Sequence, residues 1–346
     1  MRTQWALRWL PFMVMIPVAL IGLLAGPSLG FLPLLTLGPS FGSVYGSVQR
    51  TAMIGLLALA ICIPLAYYNG LLLKWQNNLT IATIVCATGA SMLVSHLRLK
   101  RERELANVRL VAETAQRVLL RPVPRKAADL QVALSYTSAA AEARIGGDLY
   151  EVVTTPYGVR LLIGDVQGKG LDAVETAAWV LGAFREAAYD EPALDDVSER
   201  LESSLARHLS GEKFVTAIIA EVREEEIVML NHGHPAPFLI SAGGEAVPVE
   251  PPDEGLPLGL GPLGTDRPKA HRVPFRQGDQ ILLFTDGVVE ARDDSGAFYP
   301  LPDRIRLLRS NEPQAALDAL RADLITHTGG PLPDDAAMLL LRRHAE

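Results

Sequence analysis

Four aspartates in the C-terminal part of the chain each lie where a predicted strand meets a turn: Asp148, Asp165, Asp286 and Asp334. Three of them have a glycine directly beside them, and the fourth is followed by a second aspartate, Asp335. Carboxylates at the mouths of apolar strands are costly to bury without a counter-charge. Hard divalent cations with oxygen ligands supply such a charge. The pattern therefore predicts a hydrolase that uses two metal ions.

The glycines around Asp148 and Asp165 exclude two alternatives. Residues 164–170 permit a sharp turn, but a P-loop needs four residues between its first glycine and Gly-Lys, followed by Ser or Thr. Here only three residues separate the glycines, and Gly170 takes the place of the hydroxyl residue. A diguanylate cyclase hairpin has Gly-Gly-Asp followed by an acid, whereas Leu149 follows Asp148.

Three further features near these aspartates each allow two interpretations. Of the pair Asp334 and Asp335, we expect one side chain to point inward and one outward. Glu290 either holds a metal-ligand side chain in place without touching the metal, or it is an ordinary solvent-exposed residue. The two histidines of segment 231–235 are weak evidence for zinc, because no cysteine lies nearby. A loop that shapes the site is the favoured interpretation, with a ligand role as the alternative.

Residue periodicity predicts an α+β domain over residues 125–346. Strands are predicted over residues 130–137, 159–166, 214–222, 226–231, 238–241, 280–285 and 336–342. Helices are predicted over residues 171–189, 194–209, 303–309 and 314–328. Strands on both sides of a helix pair, joined by short turns, indicate an antiparallel sheet covered by helices. Distant turns can then meet at one end of the sheet. Residues 248–268 are rich in Pro and Gly and are expected to form a flap.

The first hundred residues contain no Asp or Glu and predict a membrane region. A bilayer core needs about 20 apolar residues in a helix. Runs over residues 10–25, 51–68 and 79–97 approach this length, and residues 31–48 form a weaker run. We expect four spans, with three as the alternative. Basic residues near the span ends place the catalytic domain in the cytoplasm, with the Gly26-Pro27-Ser28 turn outside. An anchor is the simpler role, and a sensor is the alternative.

The chain after the membrane region is acidic. All 39 Asp and Glu residues follow position 101, and the net charge of the whole chain is −7. Nucleic acid is therefore excluded as a partner, because phosphate backbones require a basic face.

A connecting helix is predicted over residues 98–124, between a membrane region at 1–97 and the domain at 125–346. Its apolar residues 105, 108, 112, 115 and 119 are spaced 3, 4, 3, 4, as in a heptad seam. The seam is too short to decide between a homodimeric coiled coil through 105–119 and a helix that packs on the next domain.

Six motifs of the chain together resemble those of one known family. The motifs at residues 142–151, 164–170, 214–217, 231–235, 278–290 and 334–337 occur in the order and spacing of the phosphatase 2C superfamily. They resemble most its bacterial branch typified by stage II sporulation protein E. The resemblance covers about residues 130–343 and does not include the membrane region.

The resemblance implies an α-β-β-α sandwich, in which helices flank two central antiparallel sheets, and two Mn²⁺ or Mg²⁺ ions. By motif position, Asp165 resembles the carboxylate that bridges both metals, with the Val166 carbonyl nearby. Asp148 resembles a ligand of one metal, and Asp286 and Asp334 resemble ligands of the other. Asp165, Asp148 and Asp286 are the expected catalytic residues.

The chain departs from its relatives at a few positions. Gln167 stands where the eukaryotic branch has a histidine proposed as general acid, so the proton donor is unassigned. Lys169 is often histidine in relatives, and Leu149 and Glu151 replace the commoner Phe and Asp. None of these changes removes an expected metal ligand.

The expected activity is membrane-anchored, metal-dependent hydrolysis of phosphoserine or phosphothreonine in a protein. Phosphate monoester hydrolysis needs accelerations of up to about 10²¹, and a positioned acid or base supplies only about 10²–10⁴. We therefore expect in-line attack by water bound to the two metals. In relatives the substrate is often a phosphorylated anti-sigma-factor antagonist. The alternative is a signalling scaffold whose phosphatase-like domain binds a partner without turnover.

Overall fold

The computed structural model consists of two compact units, Met1–Val108 and Arg109–Glu346. The structure describes residues 2–24, 31–71, 74–138, 146–208, 213–253, 255–261, 267–310 and 312–344. The sequence predicts a finer division, into residues 1–97, 98–124 and 125–346, and that division stays a prediction.

The N-terminal unit is built from helices α1 (Arg2–Leu24), α2 (Leu37–Tyr45), α3 (Val48–Tyr68) and the first part of α4 (Trp75–Leu119). By length and composition, α3 and α4 can cross a membrane, since their apolar windows have mean hydropathies of 1.9 and 1.5. The apolar part of α1 is shorter. The helical character of this region is confirmed, and among the residues that the structure describes, two helices give weak evidence of membrane crossing.

The weak apolar run predicted over residues 31–48 is not one long helix. It forms a five-residue 3₁₀ helix, Leu32–Thr36, followed by the nine-residue α2. With a rise of about 1.5–2 Å per residue, both helices are shorter than the hydrocarbon core of a membrane, which is about 30 Å thick. The expected turn at residues 26–28 lies outside the described residues.

Polar contacts join the helices of this unit. The hydroxyls of Thr51 and Ser95 are 3.1 Å apart. The guanidinium of Arg98 donates to the carbonyls of Val44 at 2.6 Å and Gly46 at 2.8 Å. These carbonyls lie at the C-terminal end of α2, where the helix leaves acceptors unpaired and a cation is favourable.

The C-terminal unit contains two antiparallel sheets. The first has the order β1-β2-β11-β10-β7-β8. Its strands, in that order, are Lys126–Ala127, Leu130–Thr137, Ala336–Arg343, Gln280–Phe284, Phe238–Ile240 and Ala246–Pro248. The second has the order β3-β4-β5-β6-β9. Its strands are Asp148–Thr155, Gly158–Val166, Val215–Val222, Glu226–His232 and His271–Pro274.

Helices cover the outer faces of both sheets. Helices α5 (Leu171–Asp190) and α6 (Leu194–His208) pack on the second sheet, and α9 (Pro313–Thr328) packs on the first. Two short helices, α7 (Asp286–Val289) and α8 (Leu301–Arg304), follow β10. The predicted α+β sandwich of two antiparallel sheets flanked by helices is confirmed.

The apolar run of β11 shows why the layers form. Ala337, Leu339 and Leu341 belong to the core shared with the second sheet. Met338 and Leu340 alternate with them and belong to the core beneath α9. Side chains alternate between the two faces of a strand, so a strand with both faces covered is apolar throughout. Burial of both faces therefore fixes the register of β11 in the sandwich.

The last part of α4 belongs to the C-terminal unit. Ala112 is fully buried, and it packs with Leu119 against Val174 of α5. The earlier seam residues Leu105 and Val108 are 58% and 50% exposed. The structure therefore favours packing on the next domain for the end of the seam, and a homodimer through 105–119 stays a prediction.

Most predicted elements are present, with β3 the main omission. The sequence analysis assigned no strand to residues 148–155, which form β3. Residues 303–309, predicted as one helix, are divided between α8 and the 3₁₀ helix Ile305–Arg309. In the predicted flap, residues 248–268, Leu258 bridges to Val215, while residues 254 and 262–266 lie outside the described part.

Candidate metal centre

The pairing of β3 with β4 brings two of the predicted aspartates together. Asp148 begins β3 and lies directly opposite Asp165, near the end of β4. Opposed residues of antiparallel strands have Cα atoms about 4.5–5.5 Å apart, and their side chains share a face. The Val166 amide donates to the Gly147 carbonyl at 3.1 Å, which extends the pairing beyond the two aspartates. Both carboxylates therefore lie at one end of the second sheet.

Oxygen atoms of the site lie so close to the backbone before Asp148 that only glycine fits at positions 146 and 147. A Cβ on Gly147 would lie 2.4 Å from the Val166 carbonyl oxygen and 2.6 Å from Oδ1 of Asp165. A Cβ on Gly146 would lie 1.2 Å from Oδ2 of Asp335. Any side chain at either position would therefore fill the space in which these oxygens converge.

The first sheet contributes the other two predicted aspartates. Asp286 begins α7 immediately after β10, and the Thr285 amide donates to the Ala337 carbonyl at 3.0 Å. A Cβ on Gly287 would lie 1.7 Å from the carbonyl oxygen of Asp335. Asp286 and the turn that carries Asp334 and Asp335 therefore lie against each other at the end of this sheet.

Thr285 joins the two halves of the site. Its buried hydroxyl donates to Oδ2 of Asp148 at 2.8 Å and accepts from the Ala337 amide at 2.9 Å. Asp148 belongs to the second sheet, whereas Thr285 and Ala337 belong to the first. This hydrogen bond fixes the Asp148 carboxylate at the interface of the sheets, beside the Asp286 segment.

The pKa shift of Asp165 shows that the carboxylates lie close together. Burial, followed by the charges of Asp286, Asp334 and Asp335, raises the pKa of Asp165 from 3.8 to about 7, while the charge of Lys169 opposes the rise. Like charges can act in this way only at short range. Asp165 therefore lies at the centre of the cluster.

Burial and neighbouring carboxylates also raise the pKa values of Asp148 and Asp286. Burial raises the pKa of Asp148 well above its usual value, followed by the charge of Asp165, while the hydrogen bond from Thr285 opposes the rise. Burial also raises the pKa of Asp286, with further contributions from Glu290 and Asp334. The structure thus brings the four predicted aspartates to one site.

The Asp334–Asp335 pair is divided between inside and outside. Asp335 is 3% exposed, and its Oδ2 accepts a hydrogen bond from the Tyr136 hydroxyl at 3.0 Å. The Asp334 side chain is 47% exposed, and both of its oxygens lie 2.6 Å from Nζ of Lys169. The ammonium of Lys169 therefore neutralises Asp334 at the mouth of the site.

The donor set suits hard divalent cations. It combines several carboxylates that raise one another's pKa with a main-chain carbonyl beside the glycine turn, and oxygen-only shells of this kind suit Mg²⁺ and Mn²⁺. Within the described part of the chain, no three His, Cys, Asp or Glu side chains are placed so that they could hold a metal ion without moving. A cation would therefore have to draw the carboxylates inward and compete with Lys169 for Asp334.

The two histidines of the 231–235 loop have other partners. His232 contacts the Ser198 hydroxyl at 2.9 Å and the Leu256 carbonyl at 3.1 Å. His234 contacts the Thr216 hydroxyl at 3.1 Å. Burial lowers the pKa of each histidine to about 4, so both are neutral. These contacts favour the loop-shaping interpretation over a ligand role.

Sequence reasoning missed three supporting groups. Tyr136 lies in an apolar strand outside the quoted motifs, and Thr285 belongs to the motif at residues 278–290 but has no role in the sequence-based prediction. Gln116 lies in a helix assigned to the connector, and its side chain donates to the Tyr136 hydroxyl at 2.9 Å. Asp335 was noted as a neighbour of Asp334 without a role. The start of the first motif, residues 142–145, lies outside the described residues.

Comparison with known proteins agrees with this geometry. The chain is 24% identical over 205 residues to the phosphoserine phosphatase RsbU of Bacillus subtilis, covering 58% of this chain and 60% of that protein. The chain thus spans about 60% of the length of this curated relative.

Two solved structures share the fold. The RsbU and RsbW domains of Rv1364c from Mycobacterium tuberculosis are 25% identical, with a TM-score of 0.55, over 66% of this chain and 64% of that one. The SiaA-PP2C domain of Pseudomonas aeruginosa is 18% identical, with a TM-score of 0.55, over 71% of this chain and 98% of that domain. The family model described as stage II sporulation protein E (SpoIIE) matches residues 155–344, more than half of the chain, and the chain therefore belongs to the SpoIIE family.

Proposed function

We propose that this protein is a membrane-anchored, metal-dependent protein phosphatase that acts on phosphoserine or phosphothreonine. The observation that carries the proposal is the convergence of Asp148, Asp165, Asp286 and Asp334 at one end of the sandwich, where Asp165, Asp286 and Asp334 each raise the pKa of another of these carboxylates. Membership of the SpoIIE family supports the same activity.

In this proposal the sheets divide the metal ligands between them. Asp148 would hold one cation and Asp286 and Asp334 the other, while Asp165, with the Val166 carbonyl beside it, would serve both. Bound Mn²⁺ or Mg²⁺ would activate water and neutralise charge on the phosphoryl oxygens. Asp165, Asp148 and Asp286 are therefore the residues on which catalysis depends.

The shape of the mouth suits a phosphate carried on a protein. Asp334 and Lys169 have side-chain exposures of 47% and 33%, whereas Asp148 and Asp335 are buried behind them. A phosphoseryl side chain could reach the carboxylates from solvent, and the Lys169 ammonium could contact its phosphate once it leaves Asp334. We propose a regulatory phosphoprotein as substrate, of the anti-sigma-factor antagonist class that the family resemblance implies.

The N-terminal unit is proposed as a multi-pass membrane anchor with the catalytic unit in the cytoplasm. Helices α3 and α4 support this by length and hydropathy. Met53, Leu56 and Trp75 on these helices are 69%, 66% and 72% exposed, which is unfavourable in water. Membrane sedimentation that resists carbonate washing tests the anchor, and protease access in inverted vesicles tests the orientation.

The activity is tested with the full-length chain purified in detergent. Release of phosphate from a phosphoserine peptide should require Mn²⁺ or Mg²⁺ and stop in a chelator. Asp165→Asn and Asp286→Asn should each lower kcat by about 100-fold or more, since each removes charge from the reaction centre. Asp303→Asn, a change at an exposed aspartate of α8, is the matched control and should retain the wild-type rate.

The same assay separates the enzyme from a scaffold. A scaffold would bind a phosphorylated partner but release no phosphate from it under any metal condition. Wild-type activity in both Asp165→Asn and Asp286→Asn would instead show that these aspartates are not the catalytic residues and would refute the proposed site.

A further inference from the structure

The end of α4 contacts the turn that carries Asp148. Nε2 of Gln116 donates to the Gly146 carbonyl at 3.2 Å and to the Tyr136 hydroxyl at 2.9 Å. Gln116 is 9% exposed, so this amide is shielded from water. Both of its N–H groups are therefore used inside the domain. The helix that the sequence assigns to the connector thus reaches the candidate site.

The chain of hydrogen bonds continues from Tyr136 into the carboxylate cluster. The Tyr136 hydroxyl donates to Oδ2 of Asp335 at 3.0 Å. That oxygen also lies against the Gly146 backbone, where a Cβ would be 1.2 Å away. The next residue of the same turn, Gly147, directly precedes Asp148 and lies against Oδ1 of Asp165, where a Cβ would be 2.6 Å away. A displacement of Asp335 against this turn would therefore alter both carboxylates that the second sheet supplies.

We propose that Gln116 is a positioning residue of the metal centre, acting through Gly146 and through Tyr136 and Asp335. The inference rests on the proposed function and assigns part of that site to a residue before the predicted domain start at 125. The Gln116 amide orients the Tyr136 hydroxyl, because the hydroxyl accepts from Gln116 and so turns its single proton toward Asp335. It also fixes the glycine turn from which Asp148 emerges.

A second contact holds the same end of the helix in place. Nη2 of Arg185 donates to the Leu119 carbonyl at 2.9 Å. The same guanidinium pairs with Glu151 of β3 through Nε at 2.5 Å. Glu151 lies three residues after Asp148 on that strand. Three residues after Gln116, the last turn of α4 is therefore also tied to β3 through Arg185.

The test uses full-length protein in detergent and three single variants. Gln116→Leu retains the size of the side chain and removes both donors, and Tyr136→Phe removes only the hydroxyl. Glu113→Leu changes an exposed polar residue on the same helix and is the control. Mn²⁺ binding is measured by calorimetry, folding by circular dichroism, and kcat separately from KM on a phosphoserine peptide.

Loss of a group that orients a metal ligand typically weakens metal binding by 10- to 100-fold. We therefore expect Gln116→Leu and Tyr136→Phe each to raise the Kd for Mn²⁺ by about 10-fold or more, and to lower kcat at subsaturating metal with little change in KM. The double variant should be little worse than Gln116→Leu alone, because Tyr136 acts within one of the two contacts that Gln116 makes. Glu113→Leu should leave all values unchanged.

A folded Gln116→Leu or Tyr136→Phe protein with the wild-type Kd for Mn²⁺ would overturn the inference. So would fully additive effects in the double variant. If Gln116→Leu does not fold, the isosteric Tyr136→Phe decides alone. A wild-type chain that binds Mn²⁺ but releases no phosphate would overturn the proposed activity, and the altered Kd would still support the positioning role.

Discussion

Replacement of Asp165 by Asn is expected to stabilise the metal-free protein while abolishing its activity. Burial and the neighbouring carboxylates raise the pKa of Asp165 from 3.8 to about 7. The folded state therefore binds a proton between about pH 4 and pH 7 that the unfolded state has already lost. Stability from this group is present at low pH and is lost as pH rises through that window, because the folded state must then hold an unfavourable charge.

The size of the effect follows from the pKa difference. A rise from 3.8 to about 7 corresponds to about 4 kcal/mol at 1.36 kcal/mol per pH unit, which is an upper bound because neighbours relax when one charge is removed. Asparagine cannot ionise, so Asp165→Asn avoids this cost at pH 8. For a domain of this size each kcal/mol moves Tm by about 2–4 °C. We expect an increase on the order of 8 °C at pH 8 in chelator.

The assay is thermal unfolding of full-length protein and variant, followed by circular dichroism in chelator at pH 4.5, 6 and 8. The two curves should converge toward pH 4.5, where the wild-type carboxyl is protonated, and separate as pH rises. Asp303→Asn serves as control and should show no pH-dependent difference. With saturating Mn²⁺ the order should reverse, because only the wild type retains the full ligand set. An Asp165→Asn protein that is no more stable than wild type at pH 8 in chelator would refute the reasoning.

Three further outcomes follow from the same contacts. Mn²⁺ at 100 times its Kd should stabilise the wild type by about 2.7 kcal/mol, seen as a higher Tm that chelator reverses; an unchanged Tm would count against a metal site. Lys169→Met should lower the Kd for Mn²⁺ measured by calorimetry, because the ammonium no longer competes for Asp334, and an increased Kd would contradict this. Arg160→Met should destabilise the protein by about 3–5 kcal/mol in denaturant titration, because the buried Glu221 carboxylate loses its buried partner and keeps the partly exposed Arg223; a change below 1 kcal/mol would be inconsistent with that account.

The sequence was sufficient for elements with a clear period or a strong boundary. The predicted strand at 130–137 and the structure's β2 (Leu130–Thr137) coincide, since turn residues bound an apolar segment there. Strand β3 was missed because Asp148 and Glu151 interrupt its apolar pattern. Both polar residues are explained only by tertiary partners, Thr285 for Asp148 and Arg185 for Glu151. Rules that consider only neighbouring residues in the sequence cannot identify those partners.

The same limit explains which part of the site could be predicted. The four aspartates stand beside glycines or a second acid, and these neighbours mark them in the sequence. Gln116 and Tyr136 contribute through a hydrogen-bond chain that spans 219 sequence positions from Gln116 to Asp335. A glutamine in a helix and a tyrosine in a strand are unremarkable locally. Their role follows only from the three-dimensional structure, in which the turn at Gly146 contacts the helix.

The division of the carboxylates between two sheets has a consequence for stability. Asp148 and Asp165 belong to the second sheet, and Asp286 and Asp334 follow or precede strands of the first. Without a counter-charge these groups repel one another across the interface between the sheets, at the end where the Thr285 hydroxyl bonds to Asp148. Cations bound between them would convert this repulsion into a cross-link between the sheets. Metal binding should therefore protect the amides at this end of both sheets from hydrogen exchange together, rather than those of one sheet alone.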